Sequence, residues 1–140
     1  MKLSLENDKV FRLVEIIAVL LIPGILAAVV MSKYLDVTEA GRKATAQGAI
    51  AEVKGRLSAA QAKYMMNNSG TPPTSPVLFS YATTGGCNGY GSETNLANVG
   101  TDFTVVTATG TPNITIIVSA VGGVTLGTSV LGTFAGVGDL

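Results

Sequence analysis

The sequence contains no histidine, no tryptophan and only one cysteine among its 140 residues. Without histidine the chain can form neither a Ser-His-Asp nor a Cys-His catalytic unit, and it lacks the His/Cys ligand set of a zinc site. The lone cysteine, Cys87, has no second cysteine with which to form a disulfide within the chain. We therefore expect a protein that is not an enzyme and that holds no metal and no cofactor.

Charged residues are also scarce, at 13% of the chain, against roughly 25% in typical soluble domains. Nine basic and nine acidic residues give a net charge of zero, but every Lys and Arg lies at or before Lys63. The stretch up to Lys63 has nine basic and six acidic residues (+3), and the remainder has three acidic residues (−3). The chain has no basic surplus, so nucleic acid is not an expected partner. Its low charge and its 47% of hydrophobic residues indicate a protein that contacts a membrane.

The main apolar feature is the 19-residue run at positions 13–31, LVEIIAVLLIPGILAAVVM. As a helix it would be roughly 28 Å long, which matches the ~30 Å hydrocarbon core of a bilayer. Glu15 is its only charged residue. Pro23 lies near its middle and predicts a kink or local unwinding, because proline lacks the N–H that a helix requires. The run predicts a membrane-spanning helix.

We expect the helix that contains this run to extend from about residue 11 to residue 67. Beyond the run, it carries one stripe of apolar residues and one stripe of glycines. Apolar residues step by three and four positions, as on one face of an amphipathic helix. Glycines recur every seven residues on another face. They are either tolerated at the surface or allow a second helix or a sheet to approach closely. The apolar stripe is Ile50, Val53, Leu57, Ala60 and Tyr64, and the glycine stripe is Gly41, Gly48 and Gly55.

Beyond Asn67 a cluster of Asn, Ser, Gly and Pro ends the helix, and the apolar pattern changes to the two-residue period of strands. We expect an α+β fold, in which one long helix packs on a small antiparallel sheet of three or four strands. The predicted segments are strands at 103–108 and 114–119, a further strand around 124–131, a weaker strand or helical turn at 77–81, and a loop at 84–95.

The stretch FRLVEIIAVLLIPGILAAVV, from Phe11 to Val30, continues into Lys33 and Tyr34. It resembles the N-terminal segment of type IV pilins and type II secretion pseudopilins. Members of that family carry Phe-Thr-Leu-Ile-Glu after a short polar leader, followed by an apolar helix that contains Gly-Ile-Leu-Ala-Ala. The resemblance extends over residues 9 to about 65, and the C-terminal half is similar only in architecture.

The resemblance implies a bacterial structural subunit that assembles with copies of itself into a helical filament. A prepilin peptidase would cut between Val10 and Phe11 and methylate the new amine of Phe11. Glu15 matches the glutamate that pairs with this amine in a neighbouring subunit and sets the register between subunits. The implied divisions are a leader at 1–10, a transmembrane and filament-core helix at 11–32, an amphipathic helix at 33–68 and a small β domain at 69–140.

The resemblance also implies partners and locations. The precursor would lie in the inner membrane, where an assembly platform incorporates it into a filament in the periplasm or at the cell surface. The sequence does not distinguish a pilus from a pseudopilus. Charge suggests one further contact, in which basic residues of the helix face acidic residues of neighbouring subunits. The basic residues are Arg42, Lys43, Lys54 and Arg56, and the acidic ones are Glu93 and Asp102.

Four positions depart from the family pattern. Val10 stands where the family has Gly before the cut, Arg12 where it has Thr, Pro23 where it has an apolar residue and Ser32 where it commonly has Pro. Arg12 and Glu15, three residues apart on a helix, are also close enough to pair with each other. These departures leave a second interpretation open, an unprocessed membrane-anchored single-helix protein with a small exported binding domain. A cleaved secretory signal fits less well, because no A-x-A site directly follows the apolar run.

Overall fold

The structure is a computed structural model that describes residues 2–84 and 90–140, with side chains from Glu6 onward. One long helix, α1, occupies nearly half of the chain and is followed by two short helices. Three strands and a final 3-10 turn complete the order. The bounds are α1 Lys2–Asn67, α2 Ser75–Thr83, α3 Glu93–Ala97, β1 Phe103–Ala108, β2 Asn113–Val121, β3 Val124–Ala135 and the turn Val137–Asp139.

Helix α1 begins earlier than its apolar run. It starts at Lys2 instead of about residue 11, so the predicted start is wrong. Residues 2–10 contain neither Gly nor Pro, and nothing in their backbone chemistry stops the helix. The helix also continues through Pro23 without interruption, so of the two predicted effects of this proline the local unwinding is absent, and the kink stays a prediction. A single proline removes one backbone hydrogen bond, and the apolar helix formers on both sides maintain the remaining ones.

The sheet is antiparallel with strand order β1-β2-β3, which confirms the α+β prediction. Val106, Ile117 and Leu131 are cross-strand partners in one row across all three strands. The third strand is a single 12-residue element, longer than the predicted segment because residues 132–135 continue the pairing with β2 as far as Asn113. The β2–β3 hairpin turns at two glycines with positive φ, Gly122 and Gly123, a geometry that favours glycine.

Two short helices lie where the sequence predicted either a strand or a helical turn, at 77–81, and a loop, at 84–95. Residues 77–81 belong to α2, which begins with Pro76 in its first turn and buries Leu78, Phe79 and Ala82 on one side. The predicted 84–95 loop contains the start of α3, where the side chain of Ser92 accepts a hydrogen bond from the amide of Asn95. Both helices are shorter than the window over which helical periodicity is readable. Cys87 lies outside the described residues.

The hydrophobic core lies between the second half of α1 and the sheet. Ile114, Ile116 and Val118 alternate along β2 and are fully buried. Gly132 of β3 allows the strand to approach Ile50 of α1 so closely that a Cβ at position 132 would overlap that side chain. The chain divides into two units, Met1–Thr38 and Glu39–Leu140, and the whole core belongs to the second. The α1 residues in the core are Ala46, Ala49, Ile50, Val53, Leu57 and Ala60.

Candidate functional site

The first unit exposes its apolar side chains. Fourteen large apolar residues between Phe11 and Met31 are all more than half exposed, from 54% for Ile17 to 77% for Phe11. The helix that carries them is long and apolar enough to cross a membrane. Every described residue from Glu6 to Val37 is exposed, so this surface has no partner within its own unit.

Such a surface is unstable in water. Burying one large apolar side chain is worth about 1.5 kcal/mol or more, so fourteen contribute about 20 kcal/mol in favour of an apolar environment. That exceeds the whole stability of a typical domain, about 5–15 kcal/mol. Patches of this size mark contact with a membrane or with other proteins. The segment therefore requires lipid or other chains around it.

Glu15 lies near the N-terminal end of this apolar surface. Its carboxylate is exposed, and a shallow groove beside it is lined by Arg12, Ile16, Val19 and Leu20. Within the described part of the chain the only ion pairs are Lys43–Glu39 and Arg56–Glu52. Glu15 therefore does not pair with Arg12 here, although the two residues are three apart. Its oxygens are free to accept a donor from outside the chain.

The predicted cleavage residues lie inside α1. Val10 is 60% exposed and Phe11 is 77% exposed, so their side chains are accessible. The peptide bond that joins them has helical residues on both sides. Cleavage there requires the helix to open locally, because each helical backbone group is held by a hydrogen bond.

The predicted packing residues fall on two opposite faces of α1. Ile50, Val53 and Leu57 are buried against the sheet domain. Tyr64 is half-buried, and its ring meets the ring of Tyr81 edge to face at a centroid distance of 5.1 Å. The apolar stripe is therefore the inner face of the helix.

Each glycine of the glycine stripe is exposed. A Cβ built on Gly41, Gly48 or Gly55 meets no atom within 4 Å. No sheet or helix of the same chain approaches this stripe within the described residues. The three glycines are therefore either tolerated at the surface or in contact with a second chain, and only the assembled protein distinguishes the two.

Basic residues of α1 divide into two groups. Lys43 pairs with Glu39 at 3.2 Å. Arg56 donates to the carbonyls of Asn95, Leu96 and Asn98 at 2.9–3.3 Å and to Glu52 at 2.9 Å. The carbonyl contacts add hydrogen bonds at the C-terminal end of α3, where the Asn95 carbonyl also accepts from the Asn98 amide. Lys43 and Arg56 are thus occupied within the chain, whereas Arg42 and Lys54 have no ion pair among the described residues.

One polar cluster could not be anticipated from the sequence. The buried hydroxyl of Ser75 donates to the carbonyl of Pro112 at 2.6 Å and accepts from the amide of Gly136 at 2.8 Å. Asp139 accepts from the Ser75 amide at the start of α2. The cluster fastens the chain's last residues to α2. Its partners are 37, 61 and 64 residues from Ser75, and no local pattern reports contacts of that range.

The described residues contain no group of three or more His, Cys, Asp or Glu that could hold a metal ion. Comparisons of the chain with family models, with curated proteins and with solved structures find no match.

Proposed function

We propose that the chain is a structural subunit of a type IV pilus or pseudopilus filament. In this proposal the 11–32 segment first anchors the precursor in the inner membrane. After a cut before Phe11 it packs with the same segments of other subunits, and the 39–140 unit forms the outer surface. The observation that carries the proposal is a fully exposed apolar helix that contains one free carboxylate, Glu15, near its start.

Glu15 is costly in an apolar layer without a partner. A carboxylate at the centre of a spanning helix is disfavoured by about 2.5–3.5 kcal/mol on insertion scales. An amine of a neighbouring subunit would offset much of this cost. It would also fix the register between subunits, as buried polar groups do in some assemblies. The methylated amine of Phe11 in the next subunit is the proposed partner.

The deciding experiment is mass spectrometry of the membrane fraction of cells with an active prepilin peptidase. We expect a species that begins at N-methylated Phe11. Val10→Gly restores the small residue that the family has before the cut, so this variant should be processed faster than the natural chain. A chain that stays intact from Met1 in both forms, in cells that process another prepilin, would contradict the proposal.

Glu15 gives a second test of the same proposal. Glu15→Ala should stop assembly while leaving the chain in the membrane, because the apolar surface is unchanged. Asp36→Asn is the matched control, since Asp36 is an exposed α1 carboxylate outside the 11–32 segment. Filament yield is measured by sedimentation and electron microscopy. Equal yields for the two variants would remove Glu15 from the mechanism.

One observation favours the second candidate, an unprocessed membrane-anchored protein. The Val10–Phe11 bond lies within a continuous helix, which supports a chain that keeps its first ten residues. In that case residues 39–140 act as a small exported binding domain. An intact monomer in mild detergent, for both the natural chain and Val10→Gly, is the expected result for this candidate.

A further inference from the structure

We propose that subunits also join through their sheets, with the free edge of β3 in one copy pairing with the free edge of β1 in the next. This inference rests on the proposed filament function and specifies one of its interfaces. The partner is a second copy of the same chain. The contact is head to tail: each copy pairs its β3 edge with one neighbour and its β1 edge with the other.

The free edge of β3 has the features of a strand that accepts another. Its 12 residues include no charged residue and no proline, the two devices that most often protect exposed edges. From Thr125 to Ala135 no hydrogen bond outside the sheet is present among the described residues. A groove runs between this edge and α1, lined by Gln47, Ile50, Ala51, Lys54, Val130 and Leu131. Lys54 is the one charged residue in the groove.

The free edge of β1 is the complementary surface. Its six residues also include neither charge nor proline. A second groove runs between β1 and α3, lined by Glu93, Thr94, Ala97, Val105, Val106 and Thr107. Glu93 is its one charged residue, and it has no ion pair among the described residues. Each edge of the sheet therefore borders a groove that holds a single charge, and the two charges are opposite.

These charges select between the ways in which two edges can meet. Pairing β3 with β3 would place two copies of Lys54 at one interface, and pairing β1 with β1 would place two copies of Glu93 there. Like charges on helices brought together beside the paired edges repel each other. Pairing β3 with β1 places Lys54 of one copy beside Glu93 of the next. Such a heterologous contact leaves a free edge at each end and therefore continues from copy to copy.

The proposed contact also defines the strand direction. Strands β1 and β3 both run antiparallel to β2, so they run in the same direction within one copy. Copies of equal orientation would therefore pair β3 with β1 as parallel strands. The charge contacts predicted from the sequence between basic residues of α1 and acidic residues of a neighbour are thereby reduced to one pair, Lys54 and Glu93. Lys43 and Arg56 do not take part, because they are already bound within the chain.

Cross-linking of the full chain in its membrane tests the edge pairing. In a Cys87→Ser background, Thr133→Cys places a thiol on exposed β3 and Ala108→Cys places one on exposed β1, and both positions lie in the row of Thr115. With a mild oxidant, which forms a disulfide only between thiols on adjacent strands, the chain that carries both substitutions should give a ladder of multimers. Each single variant alone should give no cross-link, and a mixture of the two should stop at dimers. A dimer from Thr133→Cys alone would overturn the proposal in favour of β3–β3 pairing.

Charge reversal tests the Lys54–Glu93 contact in the same assay. Lys54→Glu and Glu93→Lys should each lower the ladder yield about 3- to 10-fold, the range expected when a partly exposed pair becomes a repulsion. The double reversal in one chain should restore the yield, and so should a mixture of the two single reversals. Asp102→Lys is the matched control and should leave the yield unchanged. Equal losses from Asp102→Lys would overturn the assignment of Glu93.

The outcomes separate this inference from the proposed function. Filaments that form without an edge cross-link overturn the edge pairing and leave the filament subunit in place. A chain that is monomeric by size in every variant, including the natural sequence, overturns both.

Discussion

The two parts of α1 have opposite surroundings although they belong to one helix. Residues 6–37 are exposed all round, and the most apolar residues of the chain lie there. The part that follows buries one face against the sheet, with Val53 and Leu57 fully enclosed. The more apolar part of the helix is thus the exposed part.

The difference teaches that pattern, more than apolar content, decides what a helix packs against. The second part has an apolar stripe on one side, and a helix of that kind is matched to a single sheet. The first part is apolar all round, which is the pattern of helices enclosed by lipid or by several other chains. The same substitution can therefore be made in both parts of the helix, so that one part serves as the control for the other.

The largest expected effect on stability is that of shortening Leu57. Leu57→Ala should lower the free energy of unfolding of residues 39–140 by about 3 kcal/mol, because a fully buried leucine leaves a cavity. Leu20→Ala removes the same atoms from a side chain that is 69% exposed, so it should leave that stability unchanged. Hydrogen exchange of the β2 amides measures both variants in detergent-solubilised chain. Equal losses would mean that the first part of the helix is also packed within the chain.

Gly132 gives the next effect, because it sets the distance between β3 and α1. Gly132→Ala should destabilise the same unit by about 2 kcal/mol, since the new methyl group would overlap Ile50 and overpacking costs about 1–3 kcal/mol. The same exchange measurement reports the loss. Ile50→Val in the Gly132→Ala background should recover part of it. No recovery would show that the cost arises from the backbone of β3 and not from the contact with α1.

Ser75 tests whether the second unit depends on α1 alone. Ser75→Ala should cost about 1–2 kcal/mol, because the Gly136 amide and the Pro112 carbonyl lose their buried partner. Ser58→Ala on the exposed face of α1 is the control and should have no effect. Limited proteolysis should also release the C-terminal residues of Ser75→Ala first. An unchanged cleavage pattern would indicate that Asp139 and the hydrogen bond from the Gly138 amide to the Pro73 carbonyl hold this end without Ser75.

Much of the fold could be predicted from the sequence because it follows from local periodicity. The three-to-four-residue stripe of α1 and the alternation in β1 and β2 are each visible within about ten residues. The start of α1 at Lys2 was missed, because a polar segment can extend a helix without showing any apolar period. The sequence left residues 77–81 open between a strand and a helical turn, because five apolar and small residues fit either, and the structure has them in helix α2.

A residue of the candidate site could be predicted only where its type alone stands out against the neighbouring sequence. Glu15 in an apolar run is evident from the sequence, because one carboxylate there is conspicuous. The roles of Arg56 and Ser75 were not evident, since their partners lie between 37 and 64 residues away. The free edges of β1 and β3 also required the strand order, which no local pattern contains.

The smallest expected effect concerns the uncovered glycine face in the second part of α1. Gly48→Ala should raise the stability of residues 39–140 by up to about 1 kcal/mol, because alanine is the better helix former and its methyl group meets no atom. If another subunit packs closely on Gly41, Gly48 and Gly55, the same methyl group should lower filament yield although the monomer is more stable. Gly24→Ala, whose methyl group meets no atom of the described residues within 4 Å, tests the first part of the helix in the same way. A stability gain with an unchanged filament yield would mean that these three glycines are tolerated surface residues.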